Sequence, residues 1–193
     1  MFQIRIHGRG GQGVVSASEL LSVAAFSEGK YSQSFPSFGS ERMGAPVQAF
    51  ARISDSNITI REPVMEPDML IIQDPSLFQA VNVFEGARTD GYLLINSSKT
   101  IEQLGISEIS SQYPENHVMI IPATELALKY IKQAKPNTVL LGAFAALSKM
   151  IGIPALEQAI RGKFPEKIAA PNITATKAGY DMIMKQLQEK QQA

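Results

Sequence analysis

Gly8-Arg9-Gly10-Gly11-Gln12-Gly13 separates an isoleucine-rich alternating segment from a long apolar one, and this junction constrains the fold more than any other feature. Phe2 to Ile6 alternates apolar and polar residues, the period of a strand. Val14 to Phe26 carries Val15, Leu20, Leu21, Val23, Ala24 and Phe26, the pattern of a helix packed on a sheet. Gly8 permits a tight turn, Gly10 and Gly11 let a ligand approach the main chain, and Gly13 lets the helix sit near the strand. The helix amides and the positive end of its dipole then favour an anion such as a phosphate. Gly8, Arg9, Gly10, Gly11, Gln12 and Gly13 are therefore the candidate ligand-binding residues.

Three uses of such a turn stay open. A dinucleotide site also needs an acid at the end of the second strand, about 20 residues on, to hold the ribose hydroxyls. That count reaches Ser32 to Ser34, where there is no acid. A phosphate-bearing ligand of another kind is the second use, and a tight turn serving only packing or a subunit contact is the third. The turn lacks the G-K-[ST] ending of a nucleotide triphosphatase loop, which removes that class.

Further along, Tyr31 to Ser34 reads as a short strand, and Gln48 to Ile53 with Ile58 to Arg61 as a strand pair around Asp55-Ser56-Asn57. Met69 to Ile72, Tyr92 to Ile95 and Val118 to Ile121 are continuous apolar runs, as in buried parallel strands. Helices are expected over Leu77 to Phe84, Thr124 to Lys132, Val139 to Ile151 with Asn137 as its cap, Pro154 to Phe164, and Ala178 to Gln188. The alternation implies an α/β fold: a mostly parallel sheet with helices on both faces and a Rossmann-like glycine turn at the N-terminus. With no linker, repeat or low-complexity stretch, residues 1–193 are expected to form a single domain.

Lys plus Arg and Asp plus Glu each number 18, so the formal net charge is zero and nothing drives the chain toward nucleic acid or an anionic membrane. The absence of cysteine excludes disulfides, thiolate catalysis and cysteine-ligated iron–sulfur clusters in this chain. With His7 and His117 as the only histidines, no metal site is expected. No catalytic Ser–His–acid set is visible. The first residues do not resemble a signal peptide, and no apolar run is long enough to span a bilayer, so a cytoplasmic location is expected.

The segment Ser34 to Pro46 combines Pro36, Gly39, Gly44 and Pro46 with Phe35, Phe38, Met43 and the adjacent Glu41 and Arg42. Prolines and glycines at this density exclude regular structure, and ordered loops of this length are often functional. Aromatics, Met and Arg are the types enriched at interface cores. Phe35, Phe38, Gly39, Glu41, Arg42 and Gly44 are therefore the candidate partner or active-site loop. His7 is either an acid–base or phosphate contact or a histidine satisfied by backbone at a strand end. Asp74 follows a buried strand, where open sheets place ligand groups, but reads more simply as a helix cap.

The run Ile4 to Val15, the helix Ala17 to Ala25 and the loop Phe35-Pro36-Ser37-Phe38-Gly39-Ser40-Glu41-Arg42-Met43-Gly44-Ala45-Pro46-Val47 together resemble the gamma subunits of pyruvate:ferredoxin oxidoreductase. Pro67-Asp68 with Gln73-Asp74, Asn137 to Gly142, and Lys167 to Gly179 fit the same family. The resemblance implies an accessory, non-catalytic subunit of a complex with alpha, beta and delta type chains. That complex oxidatively decarboxylates pyruvate with coenzyme A to acetyl-CoA and passes electrons to ferredoxin or flavodoxin. Thiamine diphosphate and iron–sulfur clusters are implied to sit on the other chains, so this chain alone is expected to bind no cofactor. Its implied role is mainly structural, with coenzyme A as its candidate contact. Related gamma chains serve 2-oxoglutarate, branched-chain 2-oxoacids or indolepyruvate. A stand-alone nicotinamide-dependent reductase is the alternative of a different class.

Overall fold

The computed structural model describes residues 1–37 and 43–191. Strand β1 (Phe2–Arg9) leads into helix α1 (Val14–Ser27), followed by β2 (Tyr31–Pro36), β3 (Pro46–Ser54), β4 (Met69–Ile72) and β5 (Tyr92–Asn96). Two single-turn helices, α2 (Ile101–Leu104) and α3 (Ser107–Ser110), precede β6 (Val118–Ile121). Helices α4 (Ala123–Tyr130), α5 (Asn137–Ser148), α6 (Ile153–Lys163) and α7 (Glu166–Gln191) complete the chain.

The sheet order is β2-β3-β1-β4-β5-β6. β1, β4, β5 and β6 run parallel, each paired with the next. β3 is antiparallel to both of its neighbours, β1 and β2. The expected α/β architecture is therefore present with one modification. β3 is inserted between β1 and β2, so the crossover through α1 skips a strand, and β2 does not lie beside the glycine turn as it would in a dinucleotide-binding unit.

Side chains alternate across the strands and build two apolar layers. Ile4, Ile6, Ala51, Ile53, Ile71 and Leu94 face α1 and the C-terminal helices. Leu70, Ile72, Leu93, Ile95 and Val118 face a thinner cover that includes Leu77, Val83 and Ile106. Burial of each large aliphatic side chain contributes about 1.5–3 kcal/mol, so the first layer is the principal core. Helices lie on both faces, with the long ones on one side only.

Several expected elements differ. Ile58 to Arg61 forms no strand. Both edges of β3 are already taken by β1 and β2, which leaves that segment nothing to pair with. Leu77 to Phe84 is not a helix: a 3-10 turn spans Pro75–Gln79, and the β-branched Val81 and Val83 with Asn82 give little support to an α-helix beyond it. Asn137 does not cap α5 with its side chain, since Pro136 holds the cap position and the Asn137 amide reaches across to the glycine turn. α5 stops at Ser148, where Lys149 takes a left-handed φ of 56°. α7 begins a dozen residues before the expected Ala178 and carries Pro171 within it. No described helix is long and apolar enough to cross a membrane.

Candidate functional site

β1 continues through Gly8 and Arg9, both paired to β3, so the turn proper is Gly10 to Gly13. Gly8 is needed for closeness: a Cβ there would lie 2.6 Å from Val14 Cγ2 and 3.2 Å from Gln73 Cβ. Gly11 and Gly13 adopt φ of 92° and 78°, the left-handed region that only glycine enters freely. Part of the turn's hydrogen-bonding capacity is used internally. Gly10 N donates to Ala45 O at 2.9 Å, Gly44 N donates to Gly10 O at 3.1 Å, and Gln12 N donates to Arg9 O at 3.1 Å. Among the described residues, no acceptor meets the amides of Gly11 and Gly13. Helix α1 starts at Gly13 with no side-chain cap, so its positive end faces the same space.

Arg9 and Gln12 are fixed by residues after β4. Gln12 Nε2 donates to Asp74 Oδ2 at 2.9 Å, and Gln12 Oε1 accepts from Arg9 N at 2.8 Å. The Arg9 guanidinium donates to Ser76 Oγ and to Gly44 O at 2.9 Å, and lies 3.3 Å from Asp74. Asp74 also accepts from Ser76 N at 3.0 Å and Ser76 Oγ at 2.6 Å. Burial pushes the Asp74 carboxyl up, but the bonds from Ser76 and Gln12 and the charge of Arg9 outweigh it and hold it below the usual range. Asp74 therefore caps the following turn, as its position after a strand suggested, and also clasps the glycine turn.

Gln12, Asp74 and Ser76 border a cleft of about 660 Å³. It lies where β4, β5 and β6 end, the position at which open α/β sheets hold ligands. Its polar lining includes Gln73 and Asp74 after β4, Ser97, Ser98 and Lys99 after β5, and Thr124 at the start of α4. Asn96 braces this wall: Nδ2 donates to Gln73 O at 2.7 Å and to Thr124 Oγ1 at 2.8 Å, while Oδ1 accepts from Thr124 N at 3.0 Å. Gln73 is 1% exposed, and among the described residues neither Oε1 nor Nε2 of its amide has a partner. A buried primary amide left unpaired costs about 1–3 kcal/mol.

The candidate loop is brought only partly to this cleft. Gly44 joins the glycine turn directly, and Met43 forms a bridge with Gly10. Phe35 belongs to β2 and packs against Phe50 with the rings tilted by 41° and centroids 5.2 Å apart, with the Arg52 guanidinium 5.4 Å from its ring centre. Phe38, Gly39, Glu41 and Arg42 lie outside the described residues. His7 is buried and is not among the residues that line the cleft. Burial, and secondarily the charge of Arg5, lowers its pKa to about 3, so it is neutral, and among the described residues Nε2 has no partner. The wall Asn96 to Lys99 and the amide of Gln73 were not singled out from sequence as ligand groups, although residues directly after buried parallel strands are where such groups belong.

A family model described as pyruvate ferredoxin/flavodoxin oxidoreductase matches residues 3–182. The chain is 47% identical over 161 residues to a pyruvate synthase subunit PorC of Methanosarcina barkeri, covering 83% of this chain and 85% of that one. It is 40% identical over 181 residues to the gamma subunit common to pyruvate and ketoisovalerate oxidoreductases of Pyrococcus furiosus, covering 94% and 96%. The crystal structure of the pyruvate oxidoreductase subunit PORC from Thermotoga maritima superposes with a TM-score of 0.77 at 37% identity, covering 93% and 95%. The family model spans the glycine turn and the cleft, and on these matches the chain belongs to the pyruvate ferredoxin/flavodoxin oxidoreductase family.

Proposed function

We propose that this chain is the gamma subunit of a pyruvate:ferredoxin or pyruvate:flavodoxin oxidoreductase, assembled with alpha, beta and delta type chains. The complex oxidatively decarboxylates pyruvate with coenzyme A to form acetyl-CoA. Relatives of nearly the same length that are named as subunits of pyruvate-oxidising enzymes support this reading. The sequence has no cysteine to hold an iron–sulfur cluster, so on this reading the clusters belong to the partner chains, and thiamine diphosphate is assigned to them as well. The role of this chain is accessory: it scaffolds the assembly and holds coenzyme A.

Gln73 carries the coenzyme A part of this proposal. Its buried amide, unpaired among the described residues, and the Ser97-Ser98-Lys99 wall border one cleft of about 660 Å³, which Gln12 of the glycine turn also lines. A primary amide supplies both a donor and an acceptor, Lys99 supplies charge for a phosphate, and Ser97 and Ser98 supply hydroxyl donors. In the assembled complex, Gln73→Leu and Lys99→Ala should each raise the KM for coenzyme A about tenfold, equivalent to about 1.4 kcal/mol, with the KM for pyruvate unchanged. Unchanged coenzyme A kinetics in both variants would remove this part of the proposal.

The Pyrococcus furiosus relative, named as common to pyruvate and ketoisovalerate oxidoreductases, favours a second reading of substrate. A gamma chain shared by two enzymes does not select the 2-oxoacid. On this reading the choice among pyruvate and branched-chain 2-oxoacids lies with the partner chains, and exchanging the partners around this chain would change the preferred 2-oxoacid.

A further inference from the structure

The two edges of the sheet are treated differently. At β6, Gln186 Nε2 of α7 donates to Ile120 O at 3.1 Å, and Lys190 Nζ donates to Glu115 O at 2.8 Å just before the strand. That edge is covered by the protein's own C-terminal helix. At β2, the other end of the order, the described residues provide no such cover.

The register of β2 shows which groups are free. Tyr31 to Pro36 pair with Ser54 to Ala49, and Ser37 N extends the ladder by donating to Gln48 O at 2.9 Å. In an antiparallel ladder the backbone groups of alternate residues face the partner strand. Ser37, Phe35 and Gln33 therefore turn toward β3, while Ser34 and Ser32 turn their N–H and C=O groups outward. Among the described residues nothing bonds to those outward backbone groups. The Ser32 side chain is anchored on the α1 side, where Oγ donates to Ser22 O at 2.7 Å.

Apart from Pro36 at its last position, β2 lacks the usual protections of a free edge. Exposed edge strands normally carry charged side chains or are kept very short. Tyr31-Ser32-Gln33-Ser34-Phe35-Pro36 carries no charge. The adjoining outer face of α1 presents Phe26, 74% exposed, and Val23, 53% exposed, beside Tyr31 at 50%. The chain's formal net charge of zero adds no long-range repulsion between copies.

We propose that β2 is the contact through which two copies of this chain pair, antiparallel about a two-fold axis beside Gln33. The spacing of the outward groups is self-complementary about that axis. Ser32 of one copy meets Ser34 of the second, and Ser34 meets Ser32, each pair exchanging both backbone bonds. Such an interface is isologous, with the same patch on both sides, and it brings the exposed faces of the two α1 helices alongside each other. The sheet then continues across both copies. This proposal does not depend on the gamma-subunit reading.

The absence of cysteine makes the register directly testable. Residues in a hydrogen-bonded antiparallel pair have Cα atoms about 5.5 Å apart, within the span a disulfide tolerates. The double variant Ser32→Cys with Ser34→Cys, oxidised as the full chain, should run as a disulfide-linked dimer, and neither single variant should. Light scattering should find the unmodified chain dimeric at about 100 µM, and Ser34→Pro and Phe26→Lys should each weaken the dimer at least about tenfold while circular dichroism stays unchanged. A monomer at that concentration would overturn the proposal. So would a dimer that neither cross-links nor responds to either substitution, or cross-linking of the double variant to a different chain in the isolated complex.

Discussion

Gly142 of α5 and Thr176 of α7 meet backbone to backbone: a Cβ on Gly142 would stand 1.8 Å from the Thr176 carbonyl oxygen. The contact is reciprocal one turn further along, where a Cβ on Gly179 would stand 2.1 Å from Val139 O. No side-chain motion relieves a clash with main chain, so the two helices would have to separate. Gly142→Ala is expected to destabilise the fold by about 3 kcal/mol despite alanine's better helix propensity. Urea unfolding of the variant checks this, and a stability within about 0.5 kcal/mol of the parent would contradict the backbone contact.

The glycine turn is held in the same way at its far end. Gly13 combines a φ of 78° with a Cβ position 2.4 Å from Asn137 Nδ2, whereas Gly29 has the same φ with open space around it. Gly29→Ala should cost about 1 kcal/mol, the backbone penalty alone. Gly13→Ala should cost more, because Asn137 must also be displaced from its 3.3 Å bond to Gly13 O. Thermal unfolding of the pair separates conformational strain from crowding.

His7 predicts a pH dependence. Its pKa is lowered to about 3 in the fold, against an ordinary 6.5. Between those values the unfolded chain binds a proton that the folded chain does not. Stability should therefore fall as pH drops from 6.5 toward 3, by at most about 1.4 kcal/mol per pH unit, and this contribution should be flat above pH 6.5. His7→Gln should remove that slope from a series of urea midpoints. An unchanged slope would place the acid sensitivity elsewhere.

Asp74 acts in a lower window. Its carboxylate form is favoured by Ser76, Gln12 and Arg9, which places its folded pKa below the ordinary 3.8. Its contribution is present above pH 3.8 and is lost as pH falls through the lowered folded value. Asp74→Ala should cost about 1 kcal/mol at neutral pH through loss of the cap and the clasp on Gln12, with a smaller cost at pH 2. A cost independent of pH would show that the carboxylate charge is not what holds the clasp.

Much of this architecture was legible in the residues. The continuous apolar runs at Met69, Tyr92 and Val118 became the parallel strands, because strands buried on both faces have no polar side to mark them. The glycine turn was legible as a junction, although not in detail. Nothing local reveals that Gly8 remains in the strand or that Gly13 packs on Asn137, since that contact spans 124 residues of sequence. The antiparallel insertion of β3 was hidden for the same reason. Its alternation identifies a strand, but which strand it joins is decided by long-range pairing. The cleft wall was in principle readable: Thr100 with Gln103 forms a capping box, and the chain just before it, Asn96 to Lys99, follows a buried strand. The unpaired state of the Gln73 amide was not, because hydrogen-bond satisfaction appears only in three dimensions.

The central claim is that this chain works as one subunit of an oxidoreductase assembly. The most direct measurement is to tag the chain in its own cells, isolate it under anoxic conditions and identify the chains that accompany it. Recovery with thiamine-binding and cluster-binding chains, in a preparation that reduces ferredoxin or flavodoxin when given pyruvate and coenzyme A, is the predicted result. Recovery of the chain free of any other subunit, with micromolar affinity for a nicotinamide dinucleotide, would contradict the account.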